Sequence, residues 1–158
     1  MTPAEILEKL KVRFPQIEEQ RFPEAAARPA EVVIVLPASE LRGVLRFLKD
    51  DPDFRMDYLS MLTATDWKDR FEMLYHVIST AQGHQIMLKV SISDRAHPVV
   101  PSVIEIYSAA DWQEREVFDL FGIVFEGHPN MRRLLLAEDW AGGYPMRKDY
   151  VHQVDRYD

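Results

Sequence analysis

Residues 71–93, FEMLYHVISTAQGHQIMLKVSIS, decide the fold. From Gln85 onward the side chains alternate. Ile86, Leu88, Val90 and Ile92 point one way, and Gln85, Lys89 and Ser91 the other. That two-residue period is the mark of a strand with one face on a core. Ala81-Gln82-Gly83-His84 is a hairpin signal, so Phe71–Thr80 reads as the partner of Gln85–Ser93. Phe54–Thr65 reads as a third strand, joined through a turn at Asp66–Arg70. Connections this short make the three strands antiparallel neighbours.

Toward the N-terminus, Thr2-Pro3-Ala4-Glu5 combines an N-cap, a proline at the first helical position and a glutamate that closes a capping box. Ile6, Leu10 and Phe14 then share one helix face, and Pro15 ends the helix. A short edge strand fits Gln16–Arg21. Glu31–Leu36 is an unbroken β-branched run, the pattern of a strand buried on both faces. Leu41, Val44, Leu45 and Leu48 form the apolar stripe of a helix, which Asp50-Asp51-Pro52-Asp53 stops.

Downstream, His97–Pro101 reads as a loop, with Pro101 placed to open a short helix. Ser108 and Asp111 have capping-box spacing, with Tyr107 and Trp112 where a hydrophobic staple would stand. Gly122 is placed to end that helix in a left-handed conformation. Within the helix, Val117, Phe118, Leu120 and Phe121 share an apolar arc, while Asp111, Arg115 and Asp119 line a polar stripe. Glu114 falls inside the apolar arc. A carboxylate there needs a cation or strong donors, or it must be protonated. Arg132, Arg133, Arg147 and Lys148 are the expected cations, arginine above all because its fork binds a carboxylate through two parallel bonds.

These elements make a two-layer α+β domain over residues 1–121, with helices on one face of a mixed or mostly antiparallel sheet. Residues 122–158 follow as an irregular tail. The tail holds Pro129, Pro145 and four glycines, and its backbone groups cannot be satisfied by a ladder of its own. It also carries Met131, Leu134, Leu135, Leu136, Trp140, Tyr144, Met146 and Tyr150, which is much apolar surface to leave in water. Part of it is expected to cover its own domain through the Glu114 pairing. The rest, Ala137–Tyr150 above all, is expected to lie against a partner and to be extended and poorly ordered in the free chain.

Composition narrows the function. At 158 residues the chain is one domain, and its 47% hydrophobic and 28% charged content is ordinary for a soluble protein. A net charge of −7 argues against general nucleic-acid binding. The absence of cysteine removes disulfides, thiolate nucleophiles and cysteine-held iron–sulfur clusters. No apolar run approaches a membrane span, and the acidic, amphipathic N-terminus is unlike a signal peptide. The expected setting is therefore the cytoplasm, with any membrane association made through a partner.

The spacing of Glu114-Arg115-Glu116, Asp119-Leu120-Phe121, His128, Arg132 and Leu134-Leu135 resembles the C subunit of proton-pumping NADH:quinone oxidoreductase, complex I. Arg147-Lys148-Asp149-Tyr150 is similar to that family's Pro-Leu-Arg-Lys-Asp segment. Met146 stands where leucine is usual, a volume-conserving change, and the Trp140–Pro145 loop is one residue longer than the common form. The resemblance implies the same two-layer fold. It also implies a subunit with no catalytic residues of its own, in the peripheral arm on the cytoplasmic side of the inner membrane. Its partners would be the large quinone-site D subunit and other peripheral-arm chains. The flavin FMN and the iron–sulfur clusters would belong to those chains, and electron transfer from NADH to quinone with proton translocation would be the activity of the assembly. An equivalent subunit of an energy-converting hydrogenase has similar motifs.

Other readings of the same residues differ in class. Glu114 with His128 is a candidate acid/base pair. Glu116 is not its companion, because residues two apart on a helix face different ways, and it reads as a solvated carboxylate. Arg132-Arg133 and Arg147-Lys148 are candidates for anionic headgroups. However, Glu138, Asp139 and Asp149 nearly balance them, and Trp140, Tyr144, Pro145 and Tyr150 suit a protein interface better. Trp67 reads as a turn residue packing back on the sheet, with an interface anchor as the alternative. None of the five histidines has a helical metal-site spacing, and no nucleotide-binding glycine loop is present.

Overall fold

The computed structural model describes residues 1–20 and 32–152. Helix α1 (Pro3–Arg13) begins with the expected capping box. The Thr2 hydroxyl accepts from the Glu5 N–H at 3.3 Å, and the Glu5 carboxylate accepts from the Thr2 N–H at 2.8 Å. Strand β1 (Glu18–Glu19) is a two-residue edge piece within the expected span, whose last residue, Arg21, lies outside the described residues. Strand β2 (Val32–Val35) follows; Glu31 also lies outside them. Helix α2 (Leu41–Asp50) buries Leu41, Val44, Leu45 and Leu48 completely. Each such side chain contributes about 1.5–3 kcal/mol.

Strands β3 (Tyr58–Asp66), β4 (Phe71–Ile78) and β5 (Gln85–Ile92) complete a five-stranded sheet in the order β1-β2-β5-β4-β3. The parallel β2–β5 pair makes it mixed, and its other pairs are antiparallel. Ile34, Leu88, Tyr75 and Leu62 lie opposite one another across four strands, and all are buried beneath the helices. The expected inward set of β5 is the buried set. Strand β3 starts four residues later than Phe54. There the chain instead makes a turn in which Phe54 and Met56 plug the end of α2. The Met56 N–H donates to Leu48 O at 2.8 Å, and the Phe54 ring meets Phe47 edge-on at 5.4 Å.

Two further expectations change here. Pro101 opens no helix. It ends a short strand, β6 (Val99–Pro101), which pairs in parallel with β7 (Val124–Glu126) on the far side of helix α3 (Ala110–Phe121). The folded unit thus runs through Glu126. Trp67 does not pack back on the sheet: it is 52% exposed, with the Arg70 guanidinium 6.0 Å from its ring.

Candidate functional site

Helix α3 organises the site. Its start carries no capping box. The N-cap is Ala109, in helical conformation and with no side-chain cap. Backbone carbonyls meet the incoming N–H groups, Tyr107 donating to Val103 and Ala110 to Tyr107, so the chain enters already coiled and needs no Ser108 cap. The staple is absent too. Tyr107 turns inward and its hydroxyl donates to Met56 O at 2.7 Å, whereas Trp112 is 65% exposed above Arg115. The other end is as expected: Gly122 caps the helix with φ +74°.

Glu114 is wholly buried, as its helix phase requires, but its expected cation is not there. Its two oxygens accept from the Ser102 hydroxyl at 2.6 Å and the Val103 N–H at 2.7 Å. Burial pushes its carboxyl above the ordinary value, and those two donors, with the positive influence of His128 and Arg42, only partly offset it. Arg133 and Arg147 are engaged elsewhere, because α3 turns its Glu114 side toward the β6 end and its Asp119 side toward the tail.

The polar stripe is where the tail lies. His128 places Nε2 3.2 Å from Asp111 Oδ1, and its Nδ1 accepts from the Asn130 N–H. Arg115 donates to the carbonyls of Arg132 and Arg133, both at 3.3 Å. Asp119, fully buried, takes Arg133 Nη1 at 3.0 Å on one oxygen. On the other it takes the successive N–H groups of Leu134, Leu135 and Leu136 at 3.1, 2.8 and 2.8 Å. Burial opposes ionisation of Asp119, but these donors outweigh it and hold the carboxyl below its usual range. An irregular segment thus gains from one side chain the partners that a ladder would otherwise supply.

The far end of the tail is held by a carboxylate from the sheet. Asp66, 3% exposed, accepts from Nη1 and Nη2 of Arg95 and from the N–H groups of Lys68 at 2.7 Å and Lys148 at 2.9 Å. Burial again opposes ionisation and is overcome, chiefly by Arg95, which brings the carboxyl down to about 2. Arg147 donates to Phe121 O at 2.6 Å and lies between the rings of Tyr144, at 4.7 Å, and Phe71, at 5.1 Å. Arg95 meets the Phe71 ring at 4.5 Å and Asp149 at 3.6 Å. A Cβ on Gly122 would fall 2.5 Å from the Tyr144 ring, so the cap is also part of the tail's bed. Trp140 closes its own loop by donating to Gly143 O at 2.8 Å.

The expected division of the tail therefore changes. Residues 137–150 are tied to the chain's own domain through Met146, Arg147 and Lys148, and the coupling runs through Asp119 and Asp66, not through Glu114. Arg115, Asp119, His128, Arg133, Trp140, Tyr144 and Arg147 come together along α3, whereas Arg132 reaches it only through its backbone carbonyl and is exposed. Glu116, Asp139, Lys148 and Asp149 face solvent, and Pro145 and Tyr150 are half-buried. Asp66 and Arg95 were missed, although Asp66 lies in register with inward Phe71. An acid at an inward strand position, like Glu114 on its helix, signals an anchoring group.

Residues 34–156 match the profile of the family described as respiratory-chain NADH dehydrogenase, 30 Kd subunit. The chain belongs to that family. The C subunit of NADH-quinone oxidoreductase from Roseiflexus castenholzii is 50% identical over 131 residues, which cover 73% of this chain and 74% of that one. The C/D subunit of NADH-quinone oxidoreductase from Bacteroides thetaiotaomicron is 46% identical over 136 residues. There the match takes in 79% of this chain but 25% of a much longer protein. A chain in the structure of the membrane-bound sulfane sulfur reductase, an archaeal respiratory membrane complex, superposes with a TM-score of 0.75 at 30% identity, covering 98% of this chain and 94% of that one. Among the described residues, no helix of this family member is long and apolar enough to cross a membrane.

Proposed function

We propose that this chain is a non-catalytic accessory subunit of the peripheral, quinone-module arm of NADH:quinone oxidoreductase. It helps hold the D-type quinone-site subunit beside the other peripheral-arm chains on the cytoplasmic side of the membrane. FMN and the iron–sulfur clusters reside in those chains, and the assembly carries electrons from NADH to quinone with proton translocation.

The observation that carries this reading is the tail. A segment without a ladder is fixed by Asp119 and Asp66 while Leu135 and Met146 stay 61% and 55% exposed. Fixing a chain in advance lowers the entropy lost when a partner binds it, and exposed apolar groups on a fixed frame suit a partner's surface. Relatives named as C/D subunits, in which a matching region is part of a longer chain, support the choice of partner. The test is co-purification from native membranes with Leu135→Asp and Met146→Asp combined. Loss of the quinone-site subunit from a chain that still folds is expected. Undiminished recovery would remove the tail from the interface.

The likeness to a chain of the sulfane sulfur reductase supports a second reading, an equivalent subunit in a related membrane-bound complex with another redox module. The proteins recovered in the same experiment separate the two. The acid/base reading has less behind it. Glu114 has the raised carboxyl, but it is wholly buried and both oxygens are already bonded, which leaves no room for a substrate.

A further inference from the structure

Glu114 is unlike the other two buried carboxylates among the described residues. Asp66 and Asp119 each hold an arginine and two or three N–H groups. Glu114 has two neutral donors and no cation at hydrogen-bond distance among the described residues. Groups from four segments contribute to its setting. Strand β4 brings the Tyr75 hydroxyl, fully buried and with no hydrogen-bond partner among the described residues. The segment after β6 brings Ser102 and Val103. Arg42 of α2 and His128 after β7 favour the ionised form from a distance, and Arg42 spends its own donors on the carbonyls of Ser102 and Glu126. An ionised carboxylate in such a place is held at a cost, and the neutral acid is not.

We propose that Glu114 is an internal proton-binding site, held by Ser102 and Val103 so that the folded chain takes up and releases one proton at this carboxyl. The chemistry of the two donors permits both states. The Val103 N–H can donate to a carboxylate oxygen or to the carbonyl oxygen of the acid. The Ser102 hydroxyl donates to the carboxylate, and by rotating it accepts the O–H of the acid. Ser102 Oγ also receives the Ile104 N–H at 3.3 Å and keeps a second lone pair free for that role. Protonation therefore reverses one hydrogen bond without moving the backbone that joins β6 to α3. The raised position of the Glu114 carboxyl, and of the Tyr75 hydroxyl through burial and then Glu114, agrees with this arrangement.

The test is a pH titration of the full chain carrying ¹³C-labelled glutamate, read by NMR beside far-UV circular dichroism. One glutamate carboxyl, missing in Glu114→Gln, is expected to titrate above the ordinary value of 4.5 with the fold intact, and the Val103 amide is expected to shift with the same midpoint. Ser102→Ala removes a donor to the charged form and moves that midpoint further up. It also identifies the resonance if Glu114→Gln does not fold. A midpoint at or below the ordinary value overturns the proposal. So does titration that coincides with unfolding, or a midpoint that Ser102→Ala leaves in place.

Discussion

Asp119 on α3 and Arg133 in the tail meet at 3.0 Å, and the carboxylate oxygen not used by Arg133 receives three consecutive tail N–H groups. One side chain therefore does for residues 134–136 what a neighbouring strand does elsewhere.

Asp119→Ala removes all four bonds at once. Breaking a buried pair from one side costs about 3–5 kcal/mol, and the low end is expected because Arg133 can reach water. Hydrogen exchange should show protection lost at residues 134–136 while β4 and β5 keep theirs.

Acid should release the other end of the tail. The Asp66 carboxyl is lowered in the folded chain, so its contribution is complete above the unfolded value of 3.8 and is lost as pH falls through about 2. That lowering corresponds to roughly 2–3 kcal/mol of stability. Denaturant titrations between about pH 5 and about pH 2 should show this slope in the wild type. Asp66→Asn should flatten it.

Glu114→Ala leaves the buried Val103 N–H without a partner and opens a small void, and about 3 kcal/mol of destabilisation is expected. Glu116→Ala, on the exposed face, should stay within about 0.5 kcal/mol. Equal small effects in chemical unfolding would mean that Glu114 is not enclosed as described.

Gly122→Ala meets a left-handed backbone and the Tyr144 ring together. About 1 kcal/mol comes from the backbone alone. Much of the remainder should be lost when Tyr144→Ala is added, with Arg147 Nη2, 2.8 Å from the new Cβ, accounting for the rest, so the two substitutions should be non-additive in a double-mutant cycle.

The sheet was legible because β3, β4 and β5 alternate under short connections, and α1 because its cap and proline are local signals. The helix phase placed Glu114 inside but could not name its partner. Ser102 and Val103 reach it through a β6–β7 pairing that spans α3, and no periodicity in a three-residue strand announces such a contact. The same limit hid Asp66 and Arg95, whose tail partner Lys148 lies 82 positions from Asp66. It was also what made the tail look free. Local sequence shows that a segment lacks a ladder, and not which distant carboxylate replaces it.

The bond from Lys148 to Asp66 has a consequence for timing. It closes a very long loop, and it needs β3 already paired with β4 so that Asp66 and Phe71 stand together, and α3 already docked so that Phe121 offers its carbonyl to Arg147. Loop-closure entropy places such a contact late in folding. A chain that presents the tail in order has therefore already paired β3 with β4 and docked α3. If a partner binds the tail as proposed above, it would meet an ordered surface only in copies whose β3, β4 and α3 are already in place.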